Sequence, residues 1–171
     1  WVGYKCLSFD RLPTDHESYF ETDKKRVLVT CGTHLKWEKE RMVERAKKLS
    51  KLYPDYLFYV TLGEASGLGN APKRLAENLL LFDYLPYTDI LDKIDFAIHH
   101  AGTGIMMACI EHEIPSLILP QDYDQFDNAV RAELAQVGLV ARRKTDAEVL
   151  RLFKELTNRT DWSQLKTLAQ K

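Results

Sequence analysis

The stretch that decides the fold runs from Phe96 to Asn128 and reads FAIHHAGTGIMMACIEHEIPSLILPQDYDQFDN. It begins with a short apolar strand over 96–98, passes through a turn of small residues and continues as an apolar helix over 104–111. A second apolar strand over 117–119 is followed by a polar loop and a helix over 125–137. Strands and helices that alternate in this order are typical of α/β proteins with a parallel sheet.

The same alternation extends through most of the chain. Short apolar runs predict further strands at Arg26–Cys31, Tyr56–Thr61, Leu79–Phe82 and Leu139–Ala141. Helical spacing of apolar residues, or a capping sequence, predicts further helices at Trp37–Leu52, at Asp89–Lys93, from Thr145 onward and from Asp161 onward. Strand runs that are apolar without alternation indicate a sheet covered on both faces. We therefore predict an α/β fold with an open, doubly wound parallel sheet.

The length of 171 residues fits about one domain with a full core. Residues 1–24 show no sustained periodicity and contain Pro13, so we expect a linker or an arm packed on the domain. Residues 25–171 are expected to form the domain itself. The glycine-rich segment Gly63–Pro72 lacks the G-K-[ST] of a phosphate-binding P-loop and predicts a surface loop.

Composition excludes several classes of function. The net charge of −1 gives no electrostatic footprint for non-specific binding to nucleic acid. No apolar run reaches the roughly 18 residues of a membrane span, and no signal peptide is visible. The three cysteines, Cys6, Cys31 and Cys109, have no C-x-x-C spacing, which favours free thiols in a reducing compartment and hence a cytoplasmic location.

The turn from His99 to Gly104 has the features of a phosphate-binding site. Its glycines let the backbone approach an anion closely, and the N–H groups and dipole of the helix that follows favour negative charge. Neighbouring side chains on a strand point to opposite faces, so only one of the two histidines can face the ligand. We assign His100 to the phosphate and expect His99 to be packed. A tight turn whose glycines serve only packing is the alternative.

The polar loop after the second strand offers a carboxylate and an amide, Asp124 and Gln125, that can hold sugar hydroxyls. Asp124 is also placed to cap the helix that starts at Gln125. Another interpretation takes Asp122 and Asp124 as a D-x-D motif that holds a divalent ion. A second small-residue turn, Gly32-Thr33, ends the first strand and suits a phosphate oxygen. Phosphate and hydroxyl groups together indicate a nucleotide-sugar.

Five segments in a fixed order resemble the C-terminal, donor-binding domain of glycosyltransferases with two facing Rossmann-like domains, the GT-B fold. They are Gly32-Thr33, Tyr84-Leu85-Pro86, His100-Ala101-Gly102-Thr103-Gly104, Ile114-Pro115, and Pro120 through Asp124-Gln125 to Asn128. The resemblance runs from about Arg26 to Arg142. It is greatest to the group of UDP-glucuronosyl/UDP-glucosyltransferases and macrolide glycosyltransferases.

This resemblance implies a set of donor-binding residues. Tyr84 would stack on the nucleobase, the backbone of Tyr87 would contact the base edge, and Asp124 and Gln125 would contact the sugar. The diphosphate would be held by the turns and by the first amides of the helix. The complete set is Gly32, Thr33, Tyr84, Tyr87, His100, Gly102, Thr103, Gly104, Ile105, Asp124, Gln125 and Asn128.

The resemblance also implies what this chain lacks and needs. It implies transfer of a hexose from a UDP- or TDP-sugar without a metal or other cofactor, since the helix N-terminus and other donors stabilise the departing diphosphate. The catalytic base and the acceptor-binding site would belong to an N-terminal domain that is absent from this sequence, so the isolated domain is expected to be inactive. Trp1-Val2-Gly3-Tyr4 resembles the segment that joins the two domains.

The sequence departs from the family pattern at several positions. Ala108 replaces a glutamate that holds the ribose, Ile105 and Met106 replace hydroxyl residues, and Glu113 replaces the glycine of G-x-P. Four alternatives stay open: the donor-binding subunit of a two-chain N-acetylglucosaminyl- or galactosyltransferase, a UDP-N-acetylglucosamine 2-epimerase, a Rossmann-type dehydrogenase, and a non-catalytic interaction module. The first turn, Cys31-Gly32-Thr33-His34, lacks the G-x-G-x-x-G that a dehydrogenase requires.

Overall fold

The computed structural model describes residues 10–170, which fall into two compact units. The first unit covers residues 10–95 and the second covers residues 96–170. The segment Trp1-Val2-Gly3-Tyr4, in which we expected a family-like interdomain passage, lies outside the described residues, as does Cys6.

The first unit is built on four strands in the spatial order β3-β4-β2-β1. Strands β1, β2 and β4 are parallel, whereas β3 runs antiparallel to β4. The strands are β1 (Lys25–Thr30), β2 (Tyr56–Thr61), β3 (Lys73–Ala76) and β4 (Leu79–Phe82), and the helices are α1 (Lys36–Leu52) and α2 (Tyr87–Ile90). Three 3-10 helices, Thr14–Phe20, Ala65–Gly67 and Leu91–Lys93, complete the unit.

The second unit has three parallel strands in the order β5-β6-β7. The strands are β5 (Phe96–His99), β6 (Ser116–Ile118) and β7 (Gly138–Val140). The helices are α3 (Thr103–Glu111), α4 (Gln125–Leu134), α5 (Asp146–Asn158) and α6 (Ser163–Ala169). Thr145 accepts a hydrogen bond from the backbone N–H of Glu148 at 3.2 Å, which confirms it as the N-cap residue of α5. The carboxylate of Glu148 accepts from the N–H groups of Arg143 and Lys144, at 2.8 and 2.7 Å, where a capping box would have the N–H of Thr145.

The predicted fold class is confirmed, because five of the seven described strands have only parallel pairings, β4 has one parallel neighbour and one antiparallel neighbour, and helices follow most of the strands. Strand β3 was not predicted. Its sequence, Lys-Arg-Leu-Ala, contains no β-branched or aromatic residue, and its first two residues are exposed. A charged sequence of this kind suits an edge strand, whose structure depends on pairing with β4 more than on its own propensity.

Residues 10–24 pack on the first unit through aromatic side chains. The ring of Phe20 stacks on that of Tyr59, with centroids 4.5 Å apart, and the Tyr59 hydroxyl donates to the carbonyl of Tyr19 at 2.9 Å. The boundary that we predicted at residue 24 stays a prediction. Among the described helices, even the 17-residue α1 does not have the length and apolarity needed to cross a membrane.

Candidate functional site

The predicted phosphate turn lies between β5 and α3. Strand β5 ends at His99, and α3 begins at Thr103 with Gly102 as its N-cap residue. Gly102 supplies no side chain to cap the helix, so the N–H groups of Thr103, Gly104 and Ile105 lack a side-chain cap from that position. Ala101 adopts a left-handed backbone with φ of 68°, a conformation that glycine adopts more readily.

His99 is a structural residue, as expected. It is buried, and its Nδ1 accepts a hydrogen bond from the N–H of Ala101 at 3.1 Å. The proton of the neutral ring therefore resides on Nε2. Burial, and to a lesser extent the neighbouring His100, lower the pKa of His99 to about 3, which keeps the ring uncharged at neutral pH.

His100 is half-buried and lies directly over Gly102. A Cβ atom at residue 102 would lie 2.4 Å from Nε2 of His100, which is closer than real contacts allow. The absence of a side chain at Gly102 therefore leaves room for the imidazole of His100, in addition to allowing the tight backbone turn. Sequence reasoning assigned Gly102 to the phosphate but did not identify this contact.

Asp124 and Asn128 join the loop before α4 to the turn before α3. The amide of Asn128 donates to the carbonyl of Ala101 at 3.0 Å and to Oδ2 of Asp124 at 3.1 Å. The hydroxyl of Thr103 donates to the same Asp124 oxygen at 3.2 Å. These bonds bring two sequence segments, more than twenty residues apart, into one cluster that contains a carboxylate and a helix N-terminus.

The predicted helix-capping role of Asp124 is wrong. Its backbone is already in the right-handed helical region, with φ of −65° and ψ of −11°, and its side chain makes no capping hydrogen bond. An N-cap residue usually has an extended backbone that turns its side chain back toward the helix. The carboxylate instead binds Thr103 and Asn128.

Gln125 organises the loop that precedes it. Its side-chain oxygen accepts from the N–H of Gln121 at 2.9 Å and from the N–H of Asp122 at 3.2 Å, and the residue is buried. Tyr123, between the two aspartates, has a left-handed φ of 52° and is 80% exposed. Within residues 10–170, no three histidine, cysteine, aspartate or glutamate side chains gather into a metal-binding group.

The first unit holds the Gly32-Thr33 turn. The hydroxyl of Thr30 accepts a hydrogen bond from the N–H of Gly32 at 3.1 Å and shares another with the hydroxyl of Tyr87 at 3.0 Å. Gly32 has a left-handed φ of 73°. Thr33 is exposed at the surface of this unit.

The neighbouring strand ends in the same way, which sequence reasoning missed. Thr61 pairs with Thr30 in the register of β1 and β2, and its hydroxyl accepts from the N–H of Gly63 at 3.3 Å. A Cβ atom at residue 63 would lie 2.8 Å from the carbonyl oxygen of Gly32. The repeated Thr-x-Gly at the ends of two strands is the sequence signal that predicts this pair of turns.

The predicted surface loop after Gly63 is in part packed. Its one helical turn includes Gly67, which is buried and leaves no room for a Cβ beside Asp83. Lys39 forms an ion pair with Glu64 at 3.0 Å, which ties the start of the loop to α1.

Tyr84 and Tyr87 of the first unit are the residues that we predicted to contact the nucleobase. The hydroxyl of Tyr84 donates to Asp10 at 2.8 Å, a partner that the sequence did not indicate. Tyr87 begins α2, and its hydroxyl is engaged with Thr30. Burial raises the pKa of Cys31 to about 11 and that of Cys109 to about 12, so these two thiols stay protonated at neutral pH.

A family model described as "Erythromycin biosynthesis protein CIII-like, C-terminal domain" matches residues 59–169. The chain is similar to UDP-glucuronosyltransferase 2C1 of Oryctolagus cuniculus, with 27% identity over 95% of this chain and 32% of the relative. It is also similar to the sterol 3-beta-glucosyltransferase of Komagataella phaffii, with 31% identity over 58% of this chain and 8% of the relative. The chain thus spans about a third of the first relative's length.

Solved structures share the fold. The spinosyn rhamnosyltransferase SpnG complexed with thymidine diphosphate superposes with a TM-score of 0.75 at 19% identity, over 94% of this chain and 44% of that one. The glycotransferase of kitacinnamycin gives a TM-score of 0.73 at 19% identity, over 99% of this chain and 42% of that one. These comparisons confirm the resemblance that the five sequence segments indicated.

Proposed function

We propose, from the premise that this chain belongs to the erythromycin biosynthesis protein CIII-like C-terminal domain family, that it is the donor-binding domain of a glycosyltransferase. The donor is a UDP- or TDP-sugar, and the group transferred is a hexose. The observation that carries the proposal is the cluster in which Asp124 and Asn128 bind the turn at the start of α3.

The chemistry of this cluster suits the two ends of such a donor. The uncapped N–H groups at the start of α3 and the imidazole of His100 hold the diphosphate, because they offer donors and the positive end of the helix dipole. Asp124 accepts hydrogen bonds from sugar hydroxyls. As the glycosidic bond breaks, the same donors stabilise the charge that develops on the departing diphosphate, and no metal is required.

Gln125 has its oxygen engaged by the loop backbone, so its contact with the sugar is assigned to the side-chain nitrogen. On the family resemblance, we assign the nucleotide to Gly32, Thr33, Tyr84 and Tyr87 of the first unit. We assign the catalytic base and the site that binds the acceptor to an N-terminal domain of the same protein. A cytoplasmic location stays a prediction.

Titration calorimetry of the 171-residue chain with UDP, TDP, UDP-glucose and TDP-glucose tests the proposal. We expect saturable binding of at least one nucleotide, unchanged by EDTA. A folded chain that binds none of the four would refute the assignment as a donor domain. Binding that is lost in EDTA and restored by Mg²⁺ would favour the D-x-D interpretation of Asp122 and Asp124.

A further inference from the structure

Lys144 lies between β7 and α5, and its side chain contacts the segment that precedes α4. Its Nζ donates to the carbonyl of Pro120 at 2.8 Å and lies over the ring of Phe126, 5.5 Å from the centroid. These two residues flank residues 121–125, which we call the 121–125 loop. One ammonium group therefore contacts both ends of the loop that contains the two residues assigned to the sugar.

The backbone at Lys144 is held in an unusual conformation. Its φ of 54° is left-handed, which is unfavourable for a residue with a Cβ atom. Three successive N–H groups donate to the carboxylate of Glu148, at 3.2, 2.8 and 2.7 Å; they belong to Arg142, Arg143 and Lys144. Successive amides that converge on one anion form a nest. The first turn of α5 thus fixes the point from which the Lys144 side chain extends.

The contacts of Lys144 differ from those of an ordinary surface lysine. A solvated lysine keeps its rotamer freedom, and ordering it costs conformational entropy. Here the residue is half-buried, and the carbonyl that it binds belongs to a buried residue, Pro120. A hydrogen bond from a charged donor is stronger than one from a neutral donor, and the aromatic ring of Phe126 adds a further attraction.

The other contacts of the 121–125 loop include one that the donor can displace. Gln125 accepts from two N–H groups of the loop itself, whereas Asp124 accepts from the hydroxyl of Thr103 at 3.2 Å. A sugar hydroxyl that binds Asp124 competes for the same carboxylate. The bond from Lys144 to Pro120 does not involve that carboxylate, so it can hold the loop while the donor is bound.

We propose that Lys144 is a positioning residue for the sugar of the donor and acts through the 121–125 loop. This inference rests on the proposed function. The sugar must lie within hydrogen-bond distance of Asp124 and Gln125 while the diphosphate is held at the start of α3. A displaced loop therefore weakens the contacts with the sugar and leaves those with the diphosphate in place.

Calorimetry with UDP-glucose and UDP, or with TDP-glucose and TDP, tests the proposal. Lys144→Met keeps an unbranched side chain over Phe126 but removes the charged donor. We expect it to weaken binding of the nucleotide-sugar by about tenfold, as for the loss of a hydrogen bond from a charged group, and to change binding of the free diphosphate by less than about twofold. Lys144→Arg keeps the charge and the donors and should bind the nucleotide-sugar within about threefold of the wild type.

Arg143→Met is the matched control. Arg143 precedes Lys144 in the same nest, and it is exposed. The substitution removes one positive charge from the same loop and should change neither affinity. A loss of nucleotide-sugar binding equal to that of Lys144→Met would overturn the proposal, because it would assign the effect to the net charge of this loop. So would an equal loss with Lys144→Arg.

Hydrogen exchange supplies a measurement that needs no ligand. The N–H groups of Gln121 and Asp122 should exchange faster in Lys144→Met than in the wild type, because the loop opens more often once its ends are released. Those of α3 should not change, which shows that the unit stays folded. Unchanged exchange in the loop, or equal losses of affinity for the nucleotide-sugar and the diphosphate, would overturn this inference and leave the donor-domain assignment intact. A wild-type chain that binds neither ligand would overturn both.

Discussion

Glu113 is the residue whose identity most clearly conflicts with its backbone. It follows α3 with a left-handed φ of 55°, and the turn closes with the N–H of Ile114 bonded to the carbonyl of Cys109 at 2.8 Å. This is the position at which helices favour glycine, because a Cβ there costs about 1 kcal/mol. Glu113, which replaces the glycine of G-x-P, is thus held in a strained left-handed conformation, although the turn keeps its closing hydrogen bond.

We therefore expect Glu113→Gly to raise the free energy of unfolding by about 0.5–1 kcal/mol, as measured by urea denaturation. Glu111→Gly is the matched control. Glu111 is also exposed but is the last residue of α3 and has no left-handed φ, so glycine relieves no strain there and should lower the stability by about 0.5 kcal/mol. Equal effects of the two substitutions would contradict the conformational explanation.

Asp124 carries the residue-scale test of donor binding. Asp124→Asn removes the charge but keeps the size, and should weaken binding of the nucleotide-sugar by roughly tenfold to a hundredfold, the loss of a hydrogen bond to a charged group. Binding of the free nucleoside diphosphate should change less. Asp122→Asn, two residues away, should leave both affinities unchanged in calorimetry. An equal loss of affinity for the nucleotide-sugar and for the free nucleoside diphosphate would contradict a contact between Asp124 and the sugar.

At the scale of the elements, the ends of β1 and β2 support each other. Each ends in Thr-x-Gly with a hydroxyl that accepts from the glycine N–H, and Gly63 lies against Gly32. The Gly32-Thr33 turn is therefore supported by the adjacent strand, not only by its own sequence.

Gly63→Ala should lower the free energy of unfolding by about 2 kcal/mol or more, because the left-handed φ of 68° and the backbone contact both oppose a Cβ. Gly69→Ala is the matched control, since Gly69 also has a left-handed φ, of 89°, but its nearest neighbour would be 3.8 Å away. It should cost about 1 kcal/mol, the conformational part alone. If thermal or urea unfolding gave equal losses, the contact with Gly32 would carry no weight.

At the scale of the whole molecule, His99 makes stability depend on acidity. Its pKa is about 3 in the folded chain and about 6.5 when exposed, so the unfolded state binds a proton that the folded state does not. The contribution of His99 to the free energy of unfolding is fully present above pH 6.5. It should fall as the pH drops toward 3, by up to about 1.4 kcal/mol per pH unit.

His99→Asn removes the titration and keeps an acceptor for the N–H of Ala101. We expect its free energy of unfolding to fall less steeply than that of the wild type between pH 6.5 and 3, as measured by urea denaturation at a series of pH values. Carboxylates such as Asp95 titrate in both proteins and cancel in the difference. Parallel curves would show that the burial of His99 does not control the acid stability.

The sequence by itself determined the alternation of strands and helices, the parallel sheet and the order of the family segments, because these follow from local periodicity and spacing. Only the tertiary structure decided that Asp124 binds Thr103 and Asn128 instead of capping its helix, and that Gly63 supports Gly32. Strand β3 belongs to the same class. Each depends on which distant segments meet when the chain packs, and local sequence preferences do not specify those contacts.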